Sequence, residues 1–179
     1  VYKVWGYLVL TFLIYYMDFS AYSDIAIGIS RLFGIKIMEN FNFPIIAPNI
    51  SNFWKRWHMT LSGWCQTYVY MPVIGLTRNP YLATLASFLV MGLWHSGTLT
   101  RVGWGTYQAA GVAVYMTWTR IKRSKRWRFL DRGPWPYLGI PITMLFVASS
   151  TAFLVIEYQF PVYEAFRILA RLVFLHLPS

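Results

Sequence analysis

Acidic side chains are scarce in this sequence: six Asp and Glu stand against sixteen Lys and Arg among 179 residues, for a formal net charge of +10. Charged residues of both signs make up 12%, about half the share of an ordinary soluble domain. The single cysteine, Cys65, excludes an internal disulfide framework and a cysteine-based zinc site, and it reads as a small packing residue. No Gly-rich phosphate loop, His-Glu-x-x-His pair or Gly-x-Ser-x-Gly elbow occurs, so those phosphate, metalloprotease and serine-hydrolase chemistries have no carrier. Cys65 and His58 are seven residues apart, roughly 10 Å along a helix, too far for a thiol–imidazole pair. No metal site is expected, and there is no internal repeat or low-complexity tract.

Apolar and aromatic surface is abundant. The chain is 57% hydrophobic and 20% aromatic, with nine Trp, thirteen Tyr and thirteen Phe. A soluble α-domain would carry a charged stripe on each outer helix, and several stretches here have none. Lipid is therefore the expected solvent, with the amphipathic rings collecting at headgroup level and inside the bundle. The basic residues lie in loops between apolar runs, which fits membrane topology and not a nucleic-acid recognition fold. The sequence starts at Val1 and enters an apolar run at once, without the n-region and cleavage site of a signal peptide. The expectation is a fragment, residues 1–179 forming one membrane domain, with further spans upstream.

Along the chain, an apolar run at 4–17 meets the polar cluster Asp18-Phe19-Ser20-Ala21-Tyr22-Ser23-Asp24 and resumes at 25–34. Asp18 and Asp24 are six apart, about 240° around a helix, so they do not share one face; at lipid depth each must meet protein or water. Residues 38–80 are punctuated by Pro44, Pro48, Pro72 and Pro80 and read as a re-entrant or interfacial segment. Within it, Ser51 is the expected cap of a helix over 52–70. Trp54, His58, Leu61, Cys65 and Tyr68 would then share one face of that helix.

Residues 81–94 are apolar and uncharged, yet fourteen helical residues cover about 21 Å of a roughly 30 Å hydrocarbon layer. His95 is thus expected within membrane depth or near its far edge. Residues 103–119 form the next span, with Gly105, Ala109 and Ala113 spaced to admit a neighbouring helix closely. A loop at 120–132 holds seven Lys or Arg, residues 137–156 are long enough to cross a bilayer, and 160–177 read as an amphipathic, peripheral helix with Glu164, Arg167 and Arg171 on one side. Placing the basic regions on the cytoplasmic side makes the three spans run outward, inward and outward, with His95 toward the outer side. The basic loop also suits anionic headgroups, or the phosphates of coenzyme A and an acidic carrier partner.

Two of the three histidines, in Trp57-His58 and Trp94-His95, are embedded in aromatic sequence, where an ionisable residue is a functional candidate. A desolvated imidazole is neutral and can accept a proton from a hydroxyl. A hydrogen-bonded packing role is the bland alternative. His176, in the amphipathic tail, reads as incidental.

Four runs occur in order: Asp18-Phe19-Ser20-Ala21-Tyr22-Ser23-Asp24-Ile25-Ala26-Ile27-Gly28, Asn40-Phe41-Asn42-Phe43-Pro44, Asn52-Phe53-Trp54-Lys55-Arg56-Trp57-His58-Met59-Thr60-Leu61-Ser62 and Gly92-Leu93-Trp94-His95. Together they resemble the motifs of membrane-bound O-acyltransferases, in the bacterial branch that includes alginate O-acetylation proteins and the D-alanyl transfer protein of teichoic acid. The likeness covers residues 16–115, and the remainder matches mainly in hydropathy.

The resemblance implies an all-α fold, a polytopic transmembrane helix bundle with re-entrant or interfacial helices, in the bacterial inner membrane. It implies catalysis by His95 with His58 as the second characteristic histidine, and a donor or substrate path near Trp54, Trp57, Trp94, Asp18 and Asp24. The donor would be acyl-CoA, such as acetyl-CoA, or an acyl-carrier thioester, with no bound cofactor. The acceptor would be a polysaccharide or a carrier protein, and the partners an exported esterase-like acetyltransferase or an acyl carrier protein. The chain departs from the branch at Gln66-Thr67, where an Arg-Asp pair is usual, and at Ser96, where glycine commonly follows the histidine. A carrier or flippase using intramembrane His and Asp without acyl chemistry, and a non-catalytic scaffold, are the rival readings.

Overall fold

A computed structural model describes residues 2–131 and 133–173 of the chain. All the regular structure among the described residues is helical. Helix α1 spans Tyr2–Leu32 without a break at the polar cluster that separates the two apolar runs. The reason is local: the hydroxyls of Thr11, Ser23 and Ser30 donate to the carbonyls of Tyr7, Phe19 and Ile27 at 2.8, 2.9 and 2.9 Å, so these polar groups are satisfied inside the helix. It ends on Gly34 at φ 74°, where Gly34 N–H and Ile35 N–H donate back to Arg31 O and Ser30 O, the paired bonds of a glycine-terminated helix.

The segment after α1 differs from the expectation of one helix over 52–70. A 3-10 turn at Pro44–Ile46 precedes α2, Ile50–Trp54, capped not by Ser51 but by Asn49, whose side chain accepts from Asn52 N–H at 2.8 Å. The helix stops there because its continuation is taken by other partners. Asn42 N–H donates to Arg56 O and Met59 N–H donates to Asn40 O, both at 2.9 Å. The Arg56 side chain donates to Asn52 Oδ1 and Asn42 O at 2.7 and 3.0 Å. His58 takes a left-handed conformation, φ 45°, and α3 begins at the next residue, Met59–Cys65. Trp54 and His58 therefore do not lie on one helical face with Leu61 and Cys65. A π turn at Gln66–Tyr70 leads into α4, Met71–Thr77.

Helices α5, Pro80–Ser96, and α6, Leu99–Ser124, form an antiparallel hairpin whose caps are Asn79 and Thr98. Their backbones touch through glycine. A Cβ on Gly92 would sit 2.4 Å from Arg101 O, and one on Gly105 would sit 2.4 Å from Phe88 O. The expected small-residue row on α6 is thus a contact row, and Ala109 is buried on it. Helix α7, Trp135–Ile156, packs on α6 through Tyr107 stacked on Phe146, centroids 4.6 Å apart. Two hydrogen bonds join the same pair: Tyr107 Oη to Ser149 Oγ at 2.7 Å and buried Gln108 Nε2 to Ser150 Oγ at 2.9 Å. Thr151 Oγ1 donates to Leu8 O of α1 at 3.2 Å. Such small-residue contacts and interhelical hydrogen bonds hold helices together where the solvent is itself apolar.

Helices α1 and α7 are long and apolar enough to cross a membrane, and the chain is a helical membrane bundle. Helix α8, Tyr163–Val173, is strongly amphipathic, as expected for this stretch. Ala165 is buried, and Arg167 pairs with Glu164 at 2.7 Å. His176 and the rest of 174–179 lie outside the described residues. Helix α6 carries 26 residues, about 39 Å at 1.5 Å per residue, so Arg101 and Lys125 are at opposite ends of it.

Replacing Gly105 with leucine is expected to lower stability by roughly 1–3 kcal/mol or more, because Phe88 backbone cannot move aside as a flexible side chain would. Thermal melts in detergent should show a clear fall for Gly105→Leu and a similar one for Ala109→Leu, with reduced yield. Unchanged melts would remove the close-contact argument.

Candidate active site

Closure of the 40–58 loop brings His58 against Phe19 of α1, ring centroids 4.8 Å apart and nearly perpendicular. On another side His58 meets Trp94 of α5 at 6.3 Å. Trp94 lies 5.0 Å from His95, and His95 stands edge-on to Trp104 of α6 at 5.7 Å and 89°. The two histidines, far apart in sequence, thus border one aromatic cluster. His95 is in the last turn of α5 and is exposed, held by its two ring neighbours.

The tautomer of His58 follows from its partners. Its Nδ1 lies 3.0 Å from Asn40 Oδ1, and two observations fix which end of that amide faces it. Thr60 N–H, which can only donate, points at the same Oδ1 at 3.4 Å, and Thr60 Oγ1 donates there at 3.0 Å. At the other end, Asn40 Nδ2 donates to Ser23 Oγ at 3.3 Å, while the Ser23 hydroxyl proton is directed to Phe19 O. The amide oxygen therefore faces His58, Nδ1 carries the hydrogen, and Nε2 keeps its lone pair.

The expected path residues divide. Trp94 joins both histidines. Trp57 does not reach His95: it packs among Phe12, Phe41 and Phe53, stacked on Phe53 at 5.5 Å and 19°, a core role. Trp54 packs against Phe88 and Trp104 at 5.0 and 6.0 Å. It also lines a cavity of about 510 Å³ together with Lys55, Cys65, Gln66, Phe88 and Met91. Its indole Nε1 is buried with no hydrogen-bond partner. Asp18 and Asp24 are exposed on α1 and are not drawn into the cluster. Among the described residues no group of three His, Cys, Asp or Glu side chains is placed to hold a metal.

Several residues escaped the sequence reading as individuals. Asn40, Ser23 and Thr60 were visible only as parts of their motifs, and Trp104 has no signal beyond composition. Glu157, just past α7, is buried and paired with Arg101 at 2.7 Å. Burial pushes its carboxyl up, but hydrogen bonds from Arg101, Ser96 and Thr98 outweigh that and hold it below the ordinary carboxylate value.

Comparison with known proteins agrees with the motifs. A family model described as the membrane-bound O-acyltransferase family matches residues 2–156. The "Probable alginate O-acetylase" of Azotobacter vinelandii is 39% identical over 122 residues, covering 66% of this chain and 22% of that protein. The "Teichoic acid D-alanyltransferase" of Bacillus subtilis is 35% identical over 143 residues, covering 74% of this chain and 36% of that protein. The "Peptidoglycan O-acetyltransferase" of Helicobacter pylori is 39% identical over 111 residues, covering 60% and 21%. The chain spans a fifth to about a third of the length of these relatives.

Asn40→Ala in the full-length protein should release the His58 ring while leaving the backbone bonds of the 40–58 closure in place. Activity is expected to fall about as far as in His58→Ala, since both lose the oriented Nε2. Activity near that of the unsubstituted protein would show that the amide does not orient the histidine.

Proposed function

Since the chain belongs to the membrane-bound O-acyltransferase family, we propose that it carries the transfer site of an enzyme that moves an acyl group, acetyl by preference, to a hydroxyl. The donor is a cytoplasmic thioester, acetyl-CoA or an acyl carrier protein, and the acceptor is a cell-surface or exported polysaccharide. The enzyme resides in the bacterial inner membrane and works beside an exported esterase-like partner. The functions for which its relatives are named, acetylation of alginate or peptidoglycan and D-alanylation of teichoic acid, share this reaction type and differ in acceptor. The single observation that supports the site assignment is the cluster that joins His58, Trp94, His95 and Trp104.

In this reading the imidazole of His95 takes the proton of the acceptor hydroxyl as its oxygen attacks the thioester carbonyl. The tetrahedral intermediate collapses, the C–S bond breaks, and the proton passes from the imidazolium to the leaving thiolate. A positioned base contributes about 10² to 10⁴ in rate. His58, with Nδ1 committed to Asn40, presents Nε2 as an acceptor toward the donor path. The cavity beside Trp54 and Lys55 is a suitable place for the donor's arm.

His95→Ala and His95→Gln in the full-length protein should each abolish transfer while membrane insertion and donor binding stay near normal, because an amide can hydrogen-bond but is no base near neutral pH. His58→Ala should raise the donor KM more than it lowers kcat. Substantial transfer by properly inserted His95→Gln would reduce His95 to a packing residue.

The orientation has its own test. Cysteines at exposed Lys125 and exposed Leu99 should be labelled from opposite sides of intact cells, Leu99→Cys by an impermeant external reagent and Lys125→Cys only after permeabilisation. The reverse pattern would invert the topology.

A further inference from the structure

We propose that Glu157 is a positioning residue for His95, acting through Ser96, Thr98 and Arg101; the inference rests on His95 being the general base. Helix α5 ends one residue after His95, the chain turns at Gly97 with φ 69°, and α6 starts at Leu99. Carbonyls in the last turn of a helix lack intrahelical donors, and helix ends fray. A base placed there needs something else to hold it.

The restraint comes from a third element. Ser96 Oγ donates to Glu157 Oε1 at 2.5 Å, and Thr98 Oγ1 donates to the same oxygen at 3.1 Å. Arg101 binds the other oxygen, Oε2, at 2.7 Å. Thr98 Oγ1 in turn accepts from Arg101 N–H at 3.3 Å, capping α6. One carboxylate therefore grips the residue after His95, the cap of α6 and the first turn of α6. Glu157 follows directly on α7, so its own position is set by the packing of α7 on α6 and α1.

Two further contacts tie this clamp to His95. The backbone of Arg101 lies against Gly92, one turn before Ser96, with no room for a Cβ. Trp104, one turn after Arg101, carries the edge-on ring against His95. Register between α5 and α6 thus fixes both the His95 backbone and its ring neighbour.

Stability alone is a poor reason for the arrangement. The Glu157 side chain is only 5% exposed, and a buried ion pair is often no more stable than apolar packing of the same volume. Arg101 Nε is buried without a partner, an added cost. What three convergent bonds do provide is a defined geometry, and small displacements of a catalytic group cost large factors in rate.

The experiment uses the full-length protein in membranes with a thioester donor. Ser96→Ala removes one bond and leaves the ion pair intact, so folding is preserved. The expected result is a kcat reduced on the order of ten- to a hundredfold, with donor KM within about twofold and an unchanged melting temperature. Ser96→Thr, which restores the hydroxyl, should recover most of the rate. The double variant Arg101→Gln with Glu157→Gln, which strands no charge, should also lose kcat selectively. Unaltered kcat in both Ser96→Ala and the double variant overturns the proposal. So does a loss in Ser96→Ala that tracks a drop in insertion or melting temperature and is not recovered by Ser96→Thr. His95→Gln, run alongside, separates the two ideas: if it remains active, the base assignment fails, whatever the Ser96 variants do.

Discussion

The closure of the loop between Asn40 and His58 is the constraint on which the site depends. Two backbone bonds, from Asn42 and Met59, tie residues 40 and 42 to residues 56 and 59, and the Arg56 side chain reinforces the tie. Buried backbone groups must find partners, and in lipid the penalty for failing is higher still. Irregular chain at membrane depth is tolerated where it satisfies itself against protein. That requirement explains why 52–70 is not one helix: carrying α2 onward would orphan the groups of residues 40 and 42. The left-handed His58, at φ 45°, is part of the same closure, and such strain in a residue other than glycine persists only where its surroundings over-determine it.

A second constraint sets where the other histidine goes. Helices α5 and α6 meet backbone to backbone at Gly92 and Gly105, spaced far enough along the hairpin to fix both register and angle. With the register set, the turn at Gly97 and the cap at Thr98 place Trp94, His95, Arg101 and Trp104 at one end. Helix α7 then brings Glu157 to that end, and its approach relies on polar contacts to Tyr107 and Gln108. Hydrogen bonds carry weight here because burial of apolar surface drives little association when the surroundings are equally apolar.

Helix existence was legible from hydropathy, since long apolar runs and proline or asparagine boundaries have direct local causes. Helices α5, α6 and α7 begin or end within a few residues of the apolar limits, and the Gly105 row was readable as a contact row from spacing alone. The break at residues 55–58 was not legible. Trp54, His58 and Leu61 obey helical spacing, and only long-range bonds from Asn40 and Asn42 override it. Of the candidate site, His58, His95 and Trp94 stood out from their motifs. Glu157 was invisible: it lies 61 residues from Ser96, and nothing in its own neighbourhood marks it as a partner.

The two histidines are held in different ways, and the difference bears on their chemistry. His58 is bound by hydrogen bonds: Asn40 fixes its tautomer, Thr60 and Ser23 fix Asn40, and Phe19 and Trp94 limit the ring. A group so constrained offers one nitrogen in one direction, which suits binding and orienting a ligand. His95 is held by ring edges and by the backbone turn behind it, with no hydrogen bond to its imidazole among the described residues. Like His58 it has one lone-pair nitrogen when neutral, but no partner selects which of the two that is. A general base must cycle between neutral and protonated forms within each turnover, and a neutral imidazole accepts at its one lone-pair nitrogen, which in His58 is Nε2. The proposed roles, His95 at the proton and His58 at the donor, rest on the motifs. The Glu157 clamp fits the same logic, since a base without hydrogen bonds of its own must be aimed through its backbone.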